Sequence, residues 1–355
     1  MERELWPPLY HALREVANRF RQKYVSFQPW VLVAVLLWAA LHDRPLVWAC
    51  RPRNWSTTNL RPPRLPHRTT VGRRIDGLAV GAFLRQLEGY LRDRGAVALL
   101  ALLDGKALAV SGVSKDPDAA WGRGAGGKAK GYKLHTLWSN RAVPEAWEVT
   151  PLNESEQAVA RRLVRQAPGA GYLLGDGNYD ASPLFDEAAA AGYQLVVPMP
   201  DPHTGQGHRY QSPFRLRCFD LVRGDFGRDL LRLQAGIERR FGNAVSFGGG
   251  LGPLPAWVRG RERVRTWVWA KLLINAVRIL RLKDLRPPLH NVARGRAFGS
   301  PAGEQTARRR KVGAGVTASR TAGGAARAPG RTSPTATART RCAGRSAAPS
   351  TTGCS

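Results

Sequence analysis

Four cysteines in 355 residues, Cys50, Cys218, Cys342 and Cys354, are too few and too scattered for a disulfide framework. None stands in a C-x-x-C pair, and the histidines do not fall at zinc-finger spacing, so no structural zinc is expected. This pattern suits a reducing cytoplasm. Long apolar runs are also missing. The longest, Trp30 to Leu41, would span about 18 Å as a helix, short of the ~30 Å hydrocarbon core of a bilayer. It reads as a buried helix, and no membrane partner is expected. Glu2, Arg3 and Glu4 precede no signal-peptide hydrophobic region. No recognition motif of the RNA-binding domains is visible. Acid is scarce: 26 Asp and Glu stand against 55 Lys and Arg, a net charge of +29.

That excess predicts a polyanion partner, most commonly nucleic acid. Residues 291–355 contribute +11 of it, which leaves +18 for residues 1–290, so the body is basic in its own right. With 43% hydrophobic residues the chain can build one large core or two smaller ones.

Three regions differ in pattern. Residues 1–95 read as a helical, DNA-binding domain. Glu4–Tyr24 and Gly77–Leu91 carry apolar residues at helical spacing. Trp30–Leu41 follows Gln28-Pro29, with proline at the helix start. Residues 43–66 are irregular. Thr69 and Thr70 are possible caps to a short helix bearing Arg73 and Arg74, which could lie in a DNA groove; a solvated basic face is the plainer alternative.

Residues 96–285 read as α/β: a mixed sheet flanked by helices. Val97–Leu103 and Lys106–Gly112 are expected as two strands joined by a turn at Asp104-Gly105. Gly131–Trp138 and Trp147–Leu152 follow as strands, then Glu154–Gln166 as a helix, Leu173-Leu174 as a short strand, Pro183–Ala191 as a helix and Tyr193–Val197 as a strand. Residues 199–229 are expected to be an irregular insertion. Leu230–Asn243 and Arg261–Leu282 complete the region as helices. Residues 286–355 form a basic tail. From 291 onward it lacks Leu, Ile, Met, Trp and Tyr. It cannot bury enough apolar surface to offset its ordering entropy, and disorder is expected. The abrupt change in composition also suggests a reading-frame shift in a GC-rich gene; a DNA-gripping arm is the functional alternative.

Three acids stand out. Asp104 and Asp176 each end an apolar run, and Glu238 lies in a helical stretch, Ile237-Glu238-Arg239-Arg240-Phe241-Gly242. Singly, each reads equally as a turn, a loop or an exposed helix residue. Together they would converge at strand ends in an α/β sheet, and carboxylates are the ligands that Mg²⁺ prefers. Lys128, Lys130, Lys133 and His135 cluster on the third strand and could contact phosphates, with a solvated strand face as the alternative. Trp257, Trp267 and Trp269 lie among arginines, a composition that suits base stacking or core packing. Asp116, Asp118 and Asp180 read as loop or capping residues.

Four stretches in this order carry a resemblance: Leu103-Asp104-Gly105-Lys106 with Ser114-Lys115-Asp116, Gly131-Tyr132-Lys133-Leu134-His135, Leu174-Gly175-Asp176-Gly177-Asn178-Tyr179-Asp180, and Ile237 to Gly242. The acids are 72 and 62 residues apart. Over roughly residues 97–282 the chain resembles a DDE transposase of a bacterial insertion sequence. The resemblance implies a ribonuclease H-like catalytic core and an Asp104–Asp176–Glu238 triad holding two Mg²⁺ or Mn²⁺ ions. It implies cleavage and strand transfer on double-stranded DNA, both element ends and target, by a homodimer assembled on that DNA in the cytoplasm. Arg73, Arg74, Lys128, Lys130, Lys133, His135 and Arg239 are then the expected DNA contacts. One departure is visible. Many relatives carry a Tyr and an Arg before the catalytic Glu and a Lys after it, where this chain has Leu231, Gln234 and Val245. A metal-dependent endonuclease with the same core, or an inactive DNA-binding remnant, is the alternative.

Overall fold

The computed structural model describes residues 2–284 apart from 21, 24, 56, 93–98, 125 and 200–210, all within one compact unit. The expectations for residues 285–355, including disorder, lie outside the described residues.

The amino-terminal part is helical: α1 (Glu2–Arg19), α2 (Pro29–Leu41), α3 (Leu46–Ala49), α4 (Arg68–Arg74) and α5 (Leu78–Arg92). Every residue of α2 is buried, as a helix apolar on all sides must be. Three tryptophans close its end. Trp38 stacks on Trp55 with centroids 4.5 Å apart, and Trp6 meets both edge-on. Their indole N–H groups donate to the carbonyls of Leu60, Asn54 and Ala49, so the rings bury without losing a hydrogen bond. The cap of α4 is His67, whose ring accepts from the Thr69 N–H, in place of the threonine caps expected. The region 43–66, expected to be irregular, contains α3 and a 3-10 turn at Pro52–Trp55.

The sheet consists of β1 (Leu100–Ala109), β2 (Ala120–Gly124), β3 (Gly127–Trp138), β4 (Ala146–Pro151), β5 (Gly171–Leu174) and β6 (Tyr193–Val196). Its order is β2-β3-β1-β5-β6, with β4 also pairing β3. β1 and β3 are antiparallel, while β1, β5 and β6 are parallel. The hairpin turn expected at Asp104-Gly105 is absent. β1 runs straight through both residues because β3 pairs with it from Leu102 to Ala109, and that ladder outweighs the local turn preference of the dipeptide.

Around the sheet lie α6 (Glu156–Gln166), α7 (Ser182–Ala190), α8 (Pro213–Arg223), α9 (Asp225–Val245) and α10 (Arg261–Asp284). The segment expected to be an irregular insertion thus holds α8 and the first turn of α9, while residues 200–210 lie outside the described residues. Ser212 caps α8, accepting from the Phe214 N–H, and Cys218 and Phe219 bury its inner side. Asp116 and Asp118 hold the start of α10: Asp116 accepts from the Gly260 N–H at 3.0 Å and Asp118 from the Arg261 N–H at 2.9 Å. Asp180 receives both arms of Arg215 at 2.6 Å.

α10 meets the amino-terminal helices through a buried cation. Lys271, 1% exposed, donates to the Ala40 carbonyl at 2.7 Å and to Asp43 at 2.6 Å. Burial lowers its pKa and Asp43 opposes that shift. Asp43 itself sits at φ 50°, a left-handed position that Asn also tolerates. Asp43→Asn is expected to lower stability by about 1–3 kcal/mol by leaving the cation underpaired. In a Lys271→Met background the same change should cost almost nothing. Denaturant midpoints of the four proteins in the cycle check this, and equal losses in both backgrounds would remove the ion pair as the cause.

Candidate active site

The position of Asp104 follows from strand register. In the parallel pair of β1 and β5, Leu100 faces Tyr172, Ala101 faces Leu173 and Leu102 faces Leu174. Asp104 and Asp176 each lie two residues beyond the last pair, so both chains deliver an aspartate at the same level. Leu102, Leu103, Leu173 and Leu174 are all buried, so both faces of this parallel pair are covered, and a slip of one residue would exchange its side chains between the two faces and offset the two aspartates.

Asp176 is the N-cap of a 3-10 turn, Gly177–Tyr179, and accepts from the Asn178 backbone N–H at 3.0 Å and its side-chain amide at 3.1 Å. The two flanking glycines have different causes. Gly177 is open, while a Cβ on Gly175 would lie 2.9 Å from the Tyr179 ring. Asp104 accepts from the Gly105 N–H at 2.6 Å.

A third acid, not singled out from the sequence, shares the cleft: Glu156, first residue of α6. Lys133 of β3 crosses over Gly105, where a Cβ would lie 2.9 Å from Lys133 Cδ, and its ammonium pairs with Glu156. Glu156 looks like an ordinary first-turn acid behind the Ser155 cap; nothing in its local sequence marks it, because its proximity to Asp104 arises only in the folded sheet.

The acids perturb one another. Burial pushes the Asp104 carboxyl up to about 6; the Gly105 N–H opposes this, Asp176 and Glu156 add to it, and Lys133 opposes it. Asp176 is also raised, first by burial, with the Asn178 N–H opposing and Glu156 adding. Three cations, Lys106, Arg123 and Lys133, line the cleft with these three carboxylates, and carboxylate oxygens are the donors that suit a divalent cation.

Helix α9 covers this side of the sheet. Phe241 and Gly242 line the cleft with Asp104 and Asp176, Phe241 packs edge-on against Trp138, and Lys106 lies over the Phe241 ring. Glu238 is on α9, one turn before Phe241 and Gly242; its side chain lies outside the described residues. Among the described residues no three His, Cys, Asp or Glu side chains gather as a ready metal-binding group.

The residues expected to contact DNA separate. Lys128 is exposed. Lys130 donates to the Ser114 carbonyl at 2.7 Å. Lys133 and His135 are buried, at 8% and 1% exposure, which takes them off the surface. Burial, with Lys133 and Arg162 adding, pushes the His135 ring down to about 3, so it is neutral at pH 7 and bonded to Thr150 at 3.0 Å. Arg239 is exposed and lines a neighbouring groove with Leu100, Gly236 and Arg278. Arg73 is exposed and Arg74 half-buried at the end of α4. Of the tryptophans, Trp267 and Trp269 are buried and Trp257 is 45% exposed.

Asp104, in the middle of β1, and Asp176, just past the end of β5, thus lie at one level beneath a long helix, and comparison with known proteins identifies the class. Residues 96–274, just over half the chain, match the family of the transposase DDE domain. The chain belongs to the DDE transposase family. No curated protein matches it. Among solved structures, a cryo-EM structure of the piggyBac transposase synaptic complex with hairpin DNA is similar at 11% identity and a TM-score of 0.30, over 57% of this chain and 50% of that one. The chain thus spans about half of that transposase. Among the described residues no helix is long and apolar enough to cross a membrane.

Removing the Asp104 charge should stabilise the metal-free protein. The folded carboxyl titrates near 6 against an ordinary value of 3.8. The folded state therefore binds more protons than the unfolded one between those values, and stability falls as pH rises through them. Above about pH 6 the penalty is complete; below about pH 4 it is gone. Asp104→Asn is expected to gain about 1–3 kcal/mol at pH 7.5 in chelator, and nothing near pH 4. Denaturation at the two pH values measures it, and a gain independent of pH would refute the electrostatic origin.

Proposed function

We propose that this chain is the transposase of a bacterial insertion sequence, which binds the double-stranded ends of its element and performs strand cleavage and strand transfer at one site. The observation that carries this reading is the matched register of Asp104 and Asp176 beneath α9, in one cleft that they share with Glu156. The antiparallel β3–β1 pair beside parallel β5 and β6, with helices around them, is the arrangement this reading takes as a ribonuclease H-like core.

In this reading Asp104, Asp176 and Glu238 hold two Mg²⁺ or Mn²⁺ ions. Those ions would supply Lewis-acid polarisation of the scissile phosphate and acidify the attacking water or 3′-hydroxyl. The protein's own groups do the rest. Asp104 and Asp176 are acceptors set by backbone register rather than by flexible side-chain reach, which limits the reorganisation needed when a cation enters. Lys133, held by Glu156, offsets part of the repulsion between the acids. Lys106 and Arg123 line the same cleft and supply fixed positive charge toward an entering phosphodiester. The attacking oxygen displaces the 3′ oxygen in line at phosphorus, and the same groups serve cleavage and transfer because both are the same displacement. A homodimer on DNA follows from the need to bring two element ends together. The basic helical region, with Arg73 and Arg74, is read as the part that recognises those ends. Leu231, Gln234 and Val245 favour a subgroup that grips the terminal phosphate differently, or a copy that no longer cuts.

The full chain is expected to cut DNA containing the flanks of its own gene at the element boundaries when Mg²⁺ is present and not in chelator. Asp176→Ala should lower cleavage by about 10²-fold or more while DNA affinity changes less than about threefold. Cuts scattered without regard to the boundaries would favour a plain endonuclease. Salt-sensitive binding without cleavage would identify an inactive copy.

A further inference from the structure

The hairpin of β2 and β3 is chemically one-sided. Its register sets Ala120 opposite Gly131, Trp121 opposite Lys130, Gly122 opposite Ala129, Arg123 opposite Lys128, and Gly124 opposite Gly127. Facing residues of an antiparallel pair share a side, and the side alternates along each strand. One face therefore carries only glycine and alanine, and the other carries Trp121, Arg123, Lys128 and Lys130.

The bare face is fitted to the body of the protein. A Cβ on Gly122 would lie 2.4 Å from the Leu152 carbonyl oxygen, an approach that backbone cannot relieve. The hairpin is thus pressed down by its empty side. The opposite side is left outward: Arg123 and Lys128 are exposed, and Trp121 is 50% exposed with the Lys128 ammonium 5.7 Å from its ring.

Two features oppose stability on their own. Like charges directly opposite each other, Arg123 against Lys128, destabilise a strand pair. A half-exposed tryptophan beside them leaves a large ring wet. The hairpin sequence, residues 120–131, contains no acid to neutralise the face. Such a pattern is relieved by a polyanion, whose phosphates bring the two cations together and whose sugars and bases cover the ring. The location points the same way, because Arg123 and Gly124 also line the cleft of Asp104 and Asp176.

We propose that the outward face of this hairpin is a DNA-backbone grip, in which Arg123 and Lys128 each hold a phosphate and Trp121 packs against the same strand beside the carboxylate cleft. This rests on the reading of the chain as a DNA-acting transposase and adds the surface that delivers the strand. Lys130 supports the grip from within, since its ammonium is tied to the Ser114 carbonyl.

The test uses the full chain and a fluorescein-labelled duplex of about 30 base pairs, followed by anisotropy across a salt series without divalent metal. Arg123→Gln/Lys128→Gln is expected to reduce the slope of log affinity against log salt by about two, and to weaken binding at ~0.1 M salt by about tenfold or more. Each single variant should account for about half of the slope change. The melting temperature should hold or rise, because the like-charge pair is gone. The control is Arg161→Gln/Arg165→Gln on α6, which removes the same charge from groups paired with Glu187; its slope should stay close to the parent's. If the parent binds with steep salt dependence and the hairpin variant binds identically, or no more weakly than the control, the grip is overturned while the transposase reading stands. If the parent shows no salt-sensitive binding at all, both fall together.

Discussion

The parallel pairing of β1 with β5 is the constraint on which the candidate site depends. Three residue pairs, ending at Leu102 and Leu174, set the level of both aspartates. The core holds that register, since a one-residue slip would exchange buried leucines between the two covered faces of the sheet and offset the two aspartates. The cost falls on the acids, which are drawn together and partly buried. The raised carboxyls of Asp104 and Asp176 record that cost. A fold that places like charges side by side in this way requires positive charge from elsewhere, and Lys133 supplies only part of it.

The remaining elements serve that pair of strands. β3 extends β1 past Asp104 and carries Lys133 across Gly105 to Glu156. α9 closes one side, with Phe241 against Trp138, and carries Glu238 one turn earlier. α10 joins the sheet-bearing part to the amino-terminal helices through the Lys271 ammonium and through Trp269 against Trp147. Asp116 and Asp118 belong to this scaffold, because both are occupied by backbone N–H groups at the start of α10. Asp104, Asp176 and Glu156 also accept from donors, but unlike Asp116 and Asp118 they line one cleft together.

Positive charge divides in a similar way. Lys130, Lys133 and Lys271 are tied to carbonyls or carboxylates inside the protein, whereas Arg123 and Lys128 face outward on a hairpin whose other side has no side chains beyond methyl groups. A strongly basic composition predicts an anionic partner. Which cations are left over for it depends on the internal pairings. Lys133 and Lys128 are five residues apart on one strand, yet one is buried against Glu156 and the other is exposed.

Much of this was readable from sequence where the deciding forces are local. The all-apolar stretch Trp30–Leu41 reads as a buried helix, and the periodicity of α5 and α6 was visible because amphipathic spacing reflects which side meets the core. The order of the acids and their flanking residues was enough to show the resemblance to the transposase family, since motif residues keep their chain order whatever the loops between them do. Tertiary pairing decided the rest. Asp104-Gly105 carries every local sign of a turn, and the β3 ladder made it mid-strand. α8 formed in a stretch that looks polar and irregular because Cys218 and Phe219 found a core to enter. Glu156 joined Asp104 and Asp176, and Arg123 came to face Lys128, because strand register acts between residues distant in sequence and leaves no mark in the neighbours of any one of them.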